Sequence, residues 1–150
     1  MRLRTINLAL APQYFDLVFD SVYSEWGEDN PNYWKSWIKS SIRSKGLPST
    51  YIVLYDEQYV GTFSIWNCDL QSRQDLSPWV GGIVVEPSFR GNGIGLFIQE
   101  EVKRVLIEEG VKQAFLFTEL EGFYEKTGWV YLEEIYNEKD HKVRLYQVCL

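Results

Sequence analysis

Apolar positions along this chain follow two periods, and each switch of period marks an element. "LRTINLAL" reads as a first strand ending before Ala11-Pro12. In "PQYFDLVFDSVYSEW", Phe15, Val18, Phe19 and Val22 recur at helical spacing, and Pro12 suits a first turn. "GEDNPN" breaks that helix. A second helix is predicted from Tyr33 to Arg43, with Trp34, Trp37, Ile38 and Ile42 on one face and Gly46 and Pro48 as its stop.

The period then shortens. "TYIVLYD" and "QYVGTFSIWNCD" are rich in β-branched and aromatic residues around a tight "DEQ" turn, which predicts an antiparallel hairpin. After the polar loop "LQSRQDLSP", the nearly all-apolar "WVGGIVVEP" reads as a strand buried on both faces. Gly81-Gly82 inside it points to a bulge, a close approach by a ligand or backbone, or a packing bend.

A long helix is predicted from Gly93 to Glu109. Ile94, Ile98, Val102, Val105 and Leu106 form its apolar face; Gln99, Glu100, Lys103, Arg104 and Glu108 are expected to face water. Gly110 suits its C-terminal stop. "KQAFLFT" follows as a strand, "LEGFYEKTG" as a short helix ending at Gly128, and "WVYLEEIY" and "KVRLYQVC" as two last strands. No repeat or linker interrupts this order, so residues 1–150 read as one mixed α/β domain.

Composition narrows the function. A net charge of −6 with thinly spread Lys and Arg argues against a nucleic-acid surface. It suits a cationic partner, or simply solubility. The six Trp and ten Tyr suit cores and pocket walls alike, and an aromatic-rich surface would favour a homodimer. Cys68, Cys149 and the lone His141 fall in no metal-binding spacing, so no metal is expected. His141 sits in the charged, turn-like "NEKDHKV", which argues against a catalytic role. The N-terminal apolar run is too short for a signal peptide, and no segment approaches the roughly 20 apolar residues of a membrane span. With two unpaired-looking cysteines, a cytoplasmic protein is expected.

Chemistry concentrates in "EPSFRGNGIGLFIQE", Glu86 to Glu100. A dinucleotide fingerprint would need a third Gly where Leu96 stands, and a P-loop would need Gly-Lys-Ser or Gly-Lys-Thr, which the chain lacks. What remains is R-x-x-G-x-G at Arg90, Gly93 and Gly95, between a strand and a helix. Backbone N–H groups without side chains can converge there on phosphate oxygens, helped by the helix N-terminus. Arg90 would add a charged contact or pair with a surface carboxylate.

"GGIVVEPSFRGNGIGLFIQEEVKRVL" resembles the acetyl-CoA-binding core of the GCN5-related N-acetyltransferase (GNAT) superfamily, whose signature is [QR]-x-x-G-x-[GA] after such a strand. "GFYEKTGW" is similar to the family's later tyrosine motif. The resemblance is strongest from Val80 to Trp129 and implies a mostly antiparallel central mixed sheet of six to seven strands flanked by about four helices. It implies direct acetyl transfer from acetyl-CoA to a primary amine of a small molecule or peptide. Arg90, Gly91, Asn92, Gly93, Ile94 and Gly95 would hold the diphosphate, and the backbone of Ile83, Val84 and Val85 the pantetheine. An N–H near Ile83 or Val84 would stabilise the oxyanion, and Tyr124 would protonate the CoA thiolate.

No glutamate interrupts "WVGGIVV" to serve as a base; Asp69, Glu28 and Asp29 stay open. By the same resemblance, the acceptor would meet the Trp26–Trp37 region and the Cys68–Trp79 loop. There Trp26, Tyr33, Trp34 and Trp37 would line a pocket, and Glu25, Glu28 and Asp29 would attract a cation. Trp34 and Trp37 read more simply as the core face of a helix. A non-catalytic acyl-CoA-binding module and a nucleotide-binding or redox protein are the alternatives.

Overall fold

Hairpin pairing builds the sheet from one edge inward in the computed structural model, which describes residues 2–150. Strands β1 (Leu3–Asn7), β2 (Ser49–Tyr55), β3 (Gln58–Trp66) and β4 (Trp79–Val85) pair antiparallel in turn. β5 (Gln113–Thr118) meets β4 in parallel, and β6 (Val130–Tyr136) and β7 (Lys142–Cys149) form a last hairpin, giving the order β1-β2-β3-β4-β5-β7-β6. β6 is an edge strand, and its Val130, Tyr131 and Leu132 are exposed.

Helices cover both faces. α1 (Phe15–Trp26) and α2 (Pro31–Lys39) bury Val18, Val22 and Ile38 against Leu8, Ile52 and Leu54. α3 (Ile94–Glu108) buries Ile94, Ile98, Val102, Val105 and Leu106 against Phe63, Ile65, Val80 and Leu116 on the other. A third cluster joins Trp79, Phe115 and Leu145 to Leu70 from the loop after β3.

Several boundaries differ from expectation, each for a local reason. The first strand stops at Asn7, whose side chain accepts the Ala9 N–H and turns Leu8–Leu10 into a 3-10 helix. α2 ends at Lys39 rather than Arg43, because Ser40 and Ser41 hydroxyls donate back to the Trp37 and Ile38 carbonyls and compete with the helix. The short helix expected over 120–128 is only the 3-10 turn Tyr124–Thr127, so three α-helices flank the sheet rather than about four. Gly122 and Gly128, both at positive φ, bound a segment too short to nucleate an α-helix. Gln99 is fully buried, not water-facing: its Oε1 accepts the Trp129 indole N–H at 2.9 Å. β4 alternates instead of burying both faces, with Gly81, Ile83 and Val85 partly exposed.

Among the described residues, no helix is long and apolar enough to cross a membrane.

Candidate active site

The glycine pair creates the irregularity on which the site depends. Thr62 lies opposite Val84 and Ser64 opposite Gly81, so β4 carries one residue more than β3 between those pairs. The extra residue is a bulge beside Gly82, whose φ of +60° excludes most side chains. Trp66 fills the space above it. A methyl on Gly81 would sit 2.5 Å from Trp66 Cζ3 and 2.7 Å from Asp69 Oδ2. The bulge and a packing reason for the glycines therefore coexist.

On its other edge β4 is nearly unpaired. Its register with β5 holds only at Trp79↔Phe115, supported by the Phe115 N–H donating to the Pro78 carbonyl at 3.0 Å. Beyond that point a slot separates the two strands. Peptide groups alternate along a strand. The Glu86 N–H donates to Val60 O, and the Val84 carbonyl lies against Gly61, so those groups serve β3. Ile83 and Val85 therefore turn their N–H groups toward the slot.

The slot leads to the glycine loop. Gly91 and Gly93 adopt φ of +81° and +79° with open space where side chains would be, and Gly93 directly precedes α3. No side chain caps α3, whose first-turn N–H groups have no intrahelical acceptor. That cradle fits a diphosphate: it is unblocked, donor-lined and at the positive end of a helix of 15 residues. The Arg90 and Asn92 side chains brace the loop from within. Arg90 donates to the Val85 carbonyl at 2.9 Å and to the surface carboxylate of Glu25 at 3.0 Å. Asn92 donates to the Phe89 and Arg90 carbonyls. Ser21 adds a second tie from α1, donating to Glu86 at 2.7 Å. Sequence gave no hint of that contact.

Gly95 joins the two motifs. A side chain there would meet the Phe123 ring at 3.2 Å, and Phe123 stands edge-on to Tyr124 with ring centroids 5.0 Å apart. Tyr124 also packs on Trp129 and Tyr146. α3 pins this turn twice, through Gln99 and through Lys103, which donates to the Thr127 carbonyl. Tyr124 is 8% exposed, and burial first, then the neighbouring Tyr146, pushes its phenol up to about 12. It stays protonated throughout the neutral range.

Opposite the glycine loop, the carboxylates expected to draw a cation are partly engaged. Glu25 holds Arg90, and Glu28 pairs with Lys139. The second contact ties the α1–α2 connection to the β6–β7 turn. Trp37 meets Trp66 edge-on at 5.3 Å, and the buried indole N–H groups of Trp34, Trp37 and Trp66 lack protein partners among the described residues. Trp37 and Trp66 line a cleft of about 140 Å³ with Pro48 and Cys68. Trp34 is partly buried and packs against the core, whereas Trp26 and Tyr33 are exposed. His141 lies in its turn, its backbone N–H donating to Asn137.

Comparison with known proteins gives this geometry a lineage. The acetyltransferase (GNAT) family model matches residues 11–129. An uncharacterized N-acetyltransferase of Chlorobaculum tepidum is 35% identical over 57 residues, which are 38% of this chain and 37% of that relative. The match thus spans little more than a third of the relative's length. An aminoglycoside 6'-N-acetyltransferase complexed with coenzyme A superposes with a TM-score of 0.74 at 15% identity, over 99% of this chain and 97% of that one. The NatC complex bound to Gag peptide and CoA gives 0.74 at 16%, over 100% and 99%. At such identities the two structures establish a shared fold. The family match, running through both the glycine loop and the tyrosine motif, establishes kinship: the chain belongs to the acetyltransferase (GNAT) family.

Proposed function

We propose that the protein transfers an acetyl group from acetyl-CoA directly to a primary amine of a small molecule or peptide, with Tyr124 as general acid. The observation that carries this is the β4–β5 slot, open beyond Trp79↔Phe115 and ending at the uncapped glycine loop. Acetyl-CoA supplies an activated thioester carbonyl when bound. The loop N–H groups from Gly91 to Gly95 would hold its diphosphate, with Arg90 and Asn92 acting as braces. The backbone of Ile83 and Val85 would complete an artificial strand edge with the pantetheine, and Val84 would hold the bulge from the β3 side. The Ile83 N–H would steady the developing oxyanion, a contribution of about 3 kcal/mol for one well-placed donor.

Tyr124 keeps its proton until a thiolate develops nearby. A free thiol titrates near ~8.5, well below this phenol. The same burial disfavours a thiolate, so the gap narrows within the slot, and a hydrogen bond stabilises the leaving sulfur before transfer completes. The family relationship and the position of Tyr124 beside Phe123 and Gly95 support the assignment. The acidic surface, with a net charge of −6, favours a cationic acceptor.

Thermal-shift titration with acetyl-CoA, NAD and ATP, followed by thiol-release assays over a panel of polyamines, aminoglycosides and peptides, tests this reading. Stabilisation by acetyl-CoA alone and CoA release with at least one amine are expected. Binding without release across the panel would leave a non-catalytic acyl-CoA module.

A further inference from the structure

The side of the β4 bulge that faces α2 holds a carboxylate without a partner, and its role rests on the acetyl-transfer reading above. Asp69 Oδ2 lies 2.7 Å from where a side chain on Gly81 would begin, under the Trp66 ring. The residue is partly exposed, with its carboxylate laid against Gly81. Neither hydrogen bonds nor cations among the described residues offset its burial. Gly81 precedes the bulge, and the slot-facing N–H of Ile83 follows two residues later. At a rise of about 3.3 Å per residue, the Ile83 N–H stands at most about 7 Å along the strand from Gly81, the residue against which the carboxylate lies.

We infer that Asp69 takes the proton from the acceptor's ammonium group, so that the site selects a protonated alkylamine. The proton passes to the carboxylate and on to solvent. The freed nitrogen lone pair forms the C–N bond to the acetyl carbon, and the C–S bond breaks with its electron pair on sulfur. Tyr124 gives that sulfur its proton and regains one from the nitrogen. The products are the amide, the CoA thiol and one released proton.

The groups around Asp69 suit a base. Gly81 of β4 and Trp66 of β3 bring no charge, Cys68 is its neighbour on the chain, and Glu138 faces it from the β6–β7 turn. Lys139, next to Glu138, is held by Glu28. Burial, then the Glu138 charge, raises the carboxyl to about 7, where it exchanges protons readily at neutral pH.

Asp69→Asn tests the role with two nucleophiles: putrescine, protonated at neutral pH, and hydroxylamine, uncharged there. With putrescine, kcat/KM should fall about 100-fold, while hydroxylamine turnover and acetyl-CoA affinity stay near wild type. The wild-type putrescine profile should rise through about pH 7, and Glu138→Gln should move that rise to lower pH. Stability gives a separate reading. A carboxyl raised from 3.8 to about 7 in the folded state favours folding when protonated, and that contribution is lost as pH climbs through this window. Asp69→Asn should therefore raise the thermal midpoint above pH 7 and leave it unchanged below the ordinary carboxylate range. Equal losses with both nucleophiles, or a profile still rising near neutrality in the variant, would overturn the role of Asp69. No CoA release by the wild type with either nucleophile would instead remove the acetyl-transfer reading, and this inference with it.

Discussion

Tyr124 is a side chain whose surroundings hold it ready while doing little to tune it downward. Three aromatic rings pack around it, and no hydrogen bond to its hydroxyl is formed by the described residues. Its raised phenol pKa therefore comes from burial first, and this keeps the proton in place rather than easing its loss. Tyr124→Phe preserves the ring packing and removes only that proton. Turnover should drop at least about tenfold, a floor set below the roughly 100-fold low end of acid–base contributions, with acetyl-CoA affinity unchanged by calorimetry. Unchanged turnover would remove Tyr124 from the mechanism. The residue was legible because its motif stands about thirty residues after the glycine loop. Gln99 was not: a polar residue on a surface-looking helical position gives no sign that an indole N–H will meet it. Asp69 was visible only as one of three acids, since its approach to Gly81 and its exposure to the Glu138 charge depend on register and on a distant turn.

Among the elements, β4 shows how much a pattern can reveal and where it stops. The paired glycines signalled a bulge, and the register shift against β3 bears that out. They did not reveal that Trp66, on the neighbouring strand, occupies the space they leave. Only the pairing of Ser64 with Gly81, a fact of register, brings that indole over the bulge. Two glycines thus carry different demands, and alanine should separate them. Gly81→Ala forces a methyl against Trp66 and Asp69 and should cost about 1–3 kcal/mol from overpacking, with a matching loss of activity. Gly91→Ala meets nothing, so only its φ of +81° opposes the change, a backbone cost of about 1 kcal/mol. Urea denaturation should rank them in that order, and a larger loss at Gly91 would contradict the packing argument. α2 carries the opposite lesson. Its apolar face was legible, but its end was not, because two serine hydroxyls competing for carbonyls leave no mark on hydrophobic spacing.

At the scale of the molecule, one seam divides the sheet. β1 to β4 zip together by successive antiparallel ladders, as do β5, β7 and β6, yet the two halves share a single register pair, Trp79↔Phe115. α3 spans the gap from above, burying Val102 and Leu106 among residues of both halves, and Trp79 and Phe115 fix its lower end. Such a seam leaves backbone donors and acceptors along both inner edges for water, so local opening there costs less than elsewhere. A ligand filling the slot replaces those water contacts with fixed ones and binds only the folded protein. At a concentration 100 times its dissociation constant, acetyl-CoA should therefore add about 2.7 kcal/mol to unfolding stability. The distribution of that effect is the sharper test. Amide hydrogen exchange at Ile83, Val85 and the first turn of α3 should slow markedly when acetyl-CoA is added. Amides at the centre of the β2–β3 ladder, already paired, should change only as far as global stability does. Protection spread evenly over the sheet, with none concentrated at the slot, would mean that the ligand stabilises the fold from some other surface and that the seam is merely a packing defect.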